Sequence, residues 1–254
     1  MSFVNCRHDG HVAHVELNRP DRMNAISTTL TSDLHAVLAD LNRDPEVRAI
    51  ILSGRGRAFC AGDDLKEFDL QTEDHFATVA HIEGIQRITE DLMFSDKFVV
   101  GAVHGYAVGG GFEWLLNCDV VVAAEDLIAF FPEMDWGQFP TGAVTHLLPQ
   151  AVGYQRAMEL LVLGERQNAA ALHAKGLVNW VLPTDEILAK AGQVAAAAAA
   201  KSPFSVSRLK RLMTRGISGD LARALQLESE ITIEAFGTQE ARDRSANFPV
   251  GKNK

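Results

Sequence analysis

Apolar residues recur along the first 130 positions with two different periods, and each period predicts a different element. From His11 to Leu17 the chain reads H-V-A-H-V-E-L, apolar at alternate positions, which suits a strand buried on one face. Thr28 to Asn42 instead places Leu30, Leu34, Val37, Leu38 and Leu41 on one helical side, and Ser27 stands where a capping hydroxyl belongs. Arg48 to Leu52 is a short apolar run typical of a buried strand, ending in Ser53-Gly54-Arg55-Gly56. A longer helix is predicted over Glu73 to Met93 and another buried strand over Phe98 to Val103. Val120 to Ala123 and Ile128 to Phe131 add two short strands joined through Glu125-Asp126. Strands separated by helices imply parallel pairing through crossover connections. From about Thr141 the pattern turns almost wholly helical, apart from Leu177 to Leu182, and Val194 to Ala200 is alanine-rich helix sequence. The expectation is an α/β core over residues 1–200 and a helical C-terminal region over 201–254. Neither an internal repeat nor a disordered linker interrupts it.

Composition narrows the function. With 254 residues, 47% of them hydrophobic, the chain can bury a substantial core. Acidic residues outnumber basic ones 33 to 24, and a formal charge of −9 repels nucleic acid and anionic membranes. An anionic ligand therefore needs a local group of Lys or Arg together with backbone donors. Three widely spaced cysteines, Cys6, Cys60 and Cys118, form no C-x-x-C pair and point to a reduced interior setting. No signal-like apolar segment opens the chain, and no run approaches the roughly 18 apolar residues of a membrane span. A soluble, cytoplasmic protein is expected.

Several familiar chemistries lack their motif. The chain contains no G-x-x-x-x-G-K-[ST] loop, no G-x-G-x-x-G, no G-x-S-x-G and no H-E-x-x-H. The nine histidines read as surface or structural residues, Cys60 and Cys118 as small buried hydrophobes, and no metal site is expected. Two glycine-containing segments remain, Arg57-Ala-Phe-Cys-Ala-Gly62-Asp63-Asp64-Leu65-Lys66 and Gly105-Tyr-Ala-Val-Gly109-Gly110-Gly111-Phe112-Glu113. Each follows a predicted strand and leads toward a helix. In open α/β sheets ligands bind beyond the carboxyl ends of the strands, where both loops would lie. Glycine lets backbone approach a ligand closely, and helix starts present unpaired N–H groups. Two such loops could aim two donors at one oxygen that becomes negative during reaction. Taken singly, the glycines are equally consistent with a tight strand-to-helix corner and Glu113 with a capping carboxylate.

The interval between Glu113 and Glu133 sharpens the picture. It holds a short helix, a strand, a turn and a second strand, whose displacements largely cancel at about 3.3 Å per residue. Pro132-Glu133 is thereby returned toward the glycine corner. Glu133 follows Ile-Ala-Phe-Phe-Pro, where a lone carboxylate is costly unless it is paired or functional. Two carboxylates in one partly dry site separate their pKa values, giving one acid and one base.

Taken in order, Leu17-Asn18-Arg19-Pro20 through Asn24-Ala25, A-F-C-A-G-D-D-L-K, H-G-Y-A-V-G-G-G-F-E, Cys118-Asp119, Phe131-Pro132-Glu133, Ala151-Val152-Gly153, Ala174-Lys175-Gly176-Leu177-Val178 and Ser202-Pro203 resemble the enoyl-CoA hydratase/isomerase, or crotonase, family over nearly the whole chain. The resemblance extends into a tail segment from Phe236 to Phe248. It implies a spiral of β-β-α repeats with a helical C-terminal region that mediates trimers or dimers of trimers. It puts the oxyanion hole on the backbone N–H groups of Asp63 and Gly110, and the two catalytic carboxylates on Glu113 and Glu133. Members with both glutamates are typically hydratases that add water to a 2-enoyl-CoA; an isomerase or other enolate-forming branch and a non-catalytic acyl-CoA-binding paralogue are the alternatives. Coenzyme A, part of the substrate rather than a separate cofactor, would run along Arg22, Asn24 and Ala25 and the Ala61-Gly62-Asp63 loop. Leu65, Gly109 and Gly110 would border the same path; the resemblance implies Lys66 and, more weakly, Arg57 near the nucleotide phosphates, and both are equally consistent with solvated loop charges. The chain departs from the family in Trp136-Gly-Gln-Phe-Pro140-Thr-Gly-Ala-Val-Thr145, where the bulk of Trp136 is equally consistent with a reshaped acyl pocket and with a packing role. It departs again at Arg244, usually glycine, and in the closing Pro-Val-Gly-Lys-Asn-Lys, which carries no expected CoA contact. These differences bear on substrate and tail contacts more than on family.

Overall fold

A computed structural model describes residues 2–64, 67, 75–136 and 138–215, with the side chains of His75, Thr78, Trp136 and Arg215 outside that description. The strands are β1 (Val4–Asp9), β2 (Val12–Leu17), β3 (Ala49–Gly54), β4 (Phe98–Val103), β5 (Tyr106–Val108), β6 (Val120–Ala124), β7 (Ile128–Phe130), β8 (Gln167–Asn168) and β9 (Trp180–Leu182). The helices are α1 (Thr28–Arg43), α2 (His75–Met93), α3 (Gly110–Leu116), α4 (Val144–Val152), α5 (Tyr154–Leu163), α6 (Ala169–Ala174), α7 (Ile187–Ala199) and α8 (Pro203–Arg215).

A six-stranded sheet runs in the order β1-β2-β3-β4-β6-β9. Only the β1–β2 pair is antiparallel; every other neighbour is parallel, as crossover helices require. Both faces of the central strands are covered, so successive residues alternate between two cores. Ile50, Leu52, Val99, Val103, Val121 and Ala123 face the main core with α1 and α2, whose Leu30, Leu34, Leu38, Ile85 and Ile88 are buried there. Ala49, Ile51, Val100, Ala102, Val122 and Ala124 face the other way, onto α7. That helix presents Ile187, Ala191, Ala195 and Ala199, a stripe at four-residue spacing whose small side chains let it lie close to the sheet.

A second wall of short strands and bridges stands beside the large sheet. Each turn of the spiral leaves the large sheet and adds a short stretch to a row beside it, parallel as far as β7 and closed by the antiparallel β8. Ile26 bridges Asp63, Cys60 bridges Ala107, β5 pairs with β7 in register Val108↔Phe130, and β7 pairs with β8. This row is the β-β-α spiral, with its earliest turns reduced to single bridges. The expected outward and return strands do bring Glu133 back, but by a different route. β6 belongs to the large sheet and β7 to the second wall, so it is the β5–β7 pairing that returns Glu133 to Gly109.

Three strands escaped the sequence pattern for identifiable reasons. β1 is an edge strand with one buried residue, so its apolar periodicity is nearly absent. β5 and β8 are three and two residues long, below the length at which alternation registers. Ser27 caps α1 as expected, accepting a hydrogen bond from Leu30 N–H at 3.2 Å. The C-terminal segment 216–254 lies outside the described residues, including the Phe236–Phe248 stretch and Arg244.

Helix α8 is fastened to the sheet by a buried charge. Lys210 Nζ donates to Asp119 Oδ2 at 2.7 Å and to the Lys97 carbonyl at 3.0 Å, while Asp119 also accepts Val99 N–H at 2.7 Å. Removing the cation would leave the Asp119 carboxylate, 20% exposed, without its counter-charge and the Lys97 carbonyl without its buried donor. Lys210→Met is therefore expected to lower stability by about 3 kcal/mol, read as a lower midpoint in urea unfolding.

Candidate active site

The two glycine loops meet because the second wall stitches them together. Cys60 N–H donates to Tyr106 O and Val108 N–H to Cys60 O, both at 3.0 Å, which lays the 57–64 loop against β5. Ile26 N–H donates to Gly62 O at 2.8 Å, and Asp64 N–H to Ile26 O at 2.9 Å. The bonds on either side of Asp63 are thus consumed in the wall. Among the described residues, Asp63 N–H and Gly110 N–H have no backbone acceptor, and both residues line one cleft of about 620 Å³. A cleft of that size accommodates a substantial organic ligand.

Other groups hold this loop from outside. Arg19 pairs with Asp64 at 2.6 Å and donates to Ala25 O at 3.0 Å. Asn24 adopts a left-handed conformation with φ +55, and its side chain accounts for that posture. Its Oδ1 accepts Arg19 N–H at 2.8 Å, and its Nδ2 donates to Arg55 O and Ala58 O at 3.0 and 2.8 Å. An amide can satisfy that combination where an aliphatic side chain cannot. Asn24 therefore stands behind the cleft, fully buried, while Arg22, Ala25, Ala61, Gly62, Gly109 and Arg57 line it. Leu65 and Lys66 lie outside the described residues, as does the side chain of Trp136.

Glu113 projects from the first turn of α3 and is almost completely buried. Thr141 N–H donates to its Oε1 at 2.8 Å, and Thr141 Oγ1 lies 3.4 Å from Oε2. Gly142 presses against it: a Cβ there would fall 2.7 Å from the Glu113 Cβ. Asn117, one helical turn along, donates to Gly142 O at 3.1 Å and keeps that segment in place. Burial raises the Glu113 carboxyl above the ordinary carboxylate range, with the Gly142 and Thr141 donors pulling the other way. The segment after Glu133 that breaks the family pattern thus supplies the donors for Glu113. Nothing in residue spacing alone singled out Thr141 or Gly142.

Glu133 begins a short 3-10 helix (Glu133–Trp136) immediately after β7 and lines the cleft. Gly109 N–H donates to Phe130 O at 3.0 Å, which locks the two loops at this point. The fit is close enough to require glycine: a Cβ on Gly109 would sit 2.6 Å from Glu133 Oε1, and its φ is +50. Glu133 Oε2 is buried with no hydrogen-bond partner. Burial raises the Glu133 carboxyl to about 7, and the charges of Glu113 and Asp63 push the same way. The two glutamates therefore share a site but differ in character. Glu113 has donors that favour its anion, whereas Glu133 has an unpaired oxygen and holds its proton longer.

Cys60 and Cys118 lie near the two loops without offering a nucleophile. Burial pushes both thiols up to about 12, far from the thiolate range at neutral pH.

This combination of a parallel sheet, a second wall of short parallel bridges and a cleft between two strand-to-helix loops defines a crotonase-type fold. The chain belongs to the enoyl-CoA hydratase/isomerase family, whose model matches residues 7–249. It is 30% identical over 244 residues to the short-chain-enoyl-CoA hydratase of Clostridium acetobutylicum, covering 94% of this chain and 92% of that protein. It is 31% identical over 248 residues to the mitochondrial enoyl-CoA hydratase of Pongo abelii, covering 93% and 83%. The crystal structure of an enoyl-CoA hydratase from Bacillus anthracis superposes with a TM-score of 0.90 at 30% identity, covering 96% of this chain and 95% of that one.

A carboxyl whose pKa is raised on folding binds its proton more tightly in the folded state, so ionising it costs stability. For Glu133 that cost sets in above the ordinary carboxylate value and is complete once the pH has passed about 7. Glu133→Gln should therefore be more stable than the native protein at pH 8, by about 1–3 kcal/mol. The gain should shrink as the pH falls toward 4.5, which urea unfolding at both ends of the range would read.

Proposed function

We propose that the protein is an enoyl-CoA hydratase that adds water across the 2,3 double bond of a 2-enoyl-CoA thioester. The observation that carries this reading is the pair of unlike carboxylates, Glu113 and Glu133, bordering the same Gly109-Gly110 corner. In the proposed mechanism the thioester oxygen accepts hydrogen bonds from Asp63 N–H and Gly110 N–H. These donors stabilise the enolate that forms as water adds, and one such donor is worth about 3–4 kcal/mol. Glu113, the anion held by Thr141 N–H and Oγ1, takes a proton from water as its oxygen bonds to C3. Glu133 delivers its proton to C2 from the same side, giving syn addition. The product carries both elements of water, and the proton gained by Glu113 and lost by Glu133 re-equilibrates through solvent in the cleft.

Coenzyme A enters as part of the substrate, and the proposed chemistry uses no further cofactor. Its chain would follow Arg22, Ala25 and Ala61-Gly62-Asp63, with Lys66 and Arg57 toward the phosphates and Trp136 toward the acyl group. Asn24 serves that path by fixing the backbone rather than by side-chain contact. A homotrimer or dimer of trimers is proposed as the assembly, and the exposed apolar row Tyr154, Met158 and Val162 on α5 is surface that association would cover. A cytoplasmic setting fits the free cysteines, and among the described residues no helix is long and apolar enough to cross a membrane.

The test is the loss of enoyl-thioester absorbance with crotonyl-CoA and longer or aromatic enoyl-CoAs. Glu113→Gln and Glu133→Gln should each lower kcat by about 10²–10⁴. Double-bond migration surviving in either variant would overturn the two-carboxylate assignment in favour of an isomerase. Binding of CoA esters without turnover of any would indicate a binding paralogue.

The pH profile follows from the two environments. Glu133 must be protonated to act as the acid, so kcat/KM should fall as the pH rises through about 7. Glu113 must be ionised, and its raised pKa should place the acidic limb above the ordinary carboxylate value. A bell-shaped profile whose alkaline limb disappears in the residual activity of Glu133→Gln is the expected result.

A further inference from the structure

We propose that the side chain of Asp63 is a specificity determinant that restricts the acyl chain to uncharged groups and rejects acyl chains ending in a carboxylate. The inference rests on the hydratase reading above and goes further, to the class of substrate.

In that reading Asp63 contributes its backbone N–H, a task that asks nothing of the side chain. Yet the residue carries a carboxylate that lines the cleft with its side chain 41% exposed. His81, on α2 and nearly buried, places Nε2 3.4 Å from Asp63 Oδ1, so the carboxylate is held from one side. Its charge is felt at the reacting end of the cleft, since it raises both Glu113 and Glu133. Among the described residues no lysine or arginine contributes to either shift. Arg22 and Arg57 line the same cleft along the segments assigned to coenzyme A, and neither is among the groups that shift Glu113 or Glu133.

Asp63 and Glu133 line the space that takes the acyl group, with Phe130, Pro132 and Val108 supplying the apolar wall, and a Cβ on Gly110 would come within 3.9 Å of the Glu113 carboxylate. A neutral chain meets that wall at no electrostatic cost. A chain bearing its own carboxylate brings a like charge into a partly dry space, where Coulomb repulsion is several times its value in water.

Binding to saturated acyl-CoAs tests the inference without requiring turnover. In calorimetry the native protein should bind butyryl-CoA roughly tenfold or more tightly than 4-carboxybutyryl-CoA. Asp63→Asn keeps the backbone N–H and the side-chain shape but removes the charge, and it should narrow that gap severalfold. Hydration should follow the same order, with crotonyl-CoA preferred over 4-carboxybut-2-enoyl-CoA and the preference reduced in the variant. Equal binding of the two saturated esters by the native protein would overturn the inference, as would an Asp63→Asn variant that shifts both esters by the same factor. A native binding gap that narrows in Asp63→Asn, with no hydration of either enoyl ester, would refute the hydratase reading while upholding charge selection. Hydration of crotonyl-CoA with no binding gap would do the reverse.

Discussion

The site depends on the row of parallel backbone bridges that forms the second wall. Ile26 to Asp63, Cys60 to Ala107 and Val108 to Phe130 are contacts between successive turns of the spiral, separated by tens of residues in sequence. Each is small, and several involve a single residue. Together they set the backbone on which Asp63 N–H, Gly110 N–H and Glu133 stand. A side chain added at Gly109 or Gly111 would meet Glu133 Oε1 or Cys60 O at 2.6 Å, so the glycines record how closely the turns approach. The large sheet and its two cores supply stability, and the second wall supplies geometry.

That geometry keeps a carboxyl where solvation is poor. Glu113 is supported by Thr141 and by Gly142, itself tethered through Asn117 to Thr89 at 2.9 Å on α2. Glu133 has no comparable partner for Oε2. A fold selected for stability alone would pair that oxygen or replace the residue with an apolar one. The surrounding structure holds it in place because β7 and the Gly109 N–H bond define the backbone up to Phe130, and the 3-10 turn begins at Glu133 itself. The destabilising group is anchored by contacts that do not involve its carboxylate.

The two glycine loops, Glu113 and Glu133 were legible because each stands next to a strong local signal: an apolar strand, a glycine run, or an apolar stretch ending in Pro132. The core helices α1 and α2 were legible through their apolar spacing. What could not be read was pairing. Nothing local distinguishes β6, which joins the large sheet, from β7, which joins the second wall, since both are short apolar runs and only the parallel neighbour separates them. The support of Glu113 by Thr141 was hidden for the same reason: a backbone N–H donor has no side-chain signature. Asn24 illustrates the converse, a polar residue beside a candidate ligand path whose side chain serves the turn it sits in.

Arg19 shows how a distant charge enters the site through the backbone. It stands at the end of the segment after β2, yet its guanidinium pairs with Asp64 and its own N–H is received by Asn24. The pair is largely withdrawn from solvent, so its strength depends on the additional bond to Ala25 O that helps satisfy the guanidinium. Through Asp64 it restrains the residue that follows Asp63, and through Ala25 it restrains the residue that precedes Ile26. Both ends of the Ile26–Asp63 bridge are thereby held by one side chain. The Asp63 N–H is accordingly oriented by contacts from the first turn of the spiral as much as by the loop that carries it.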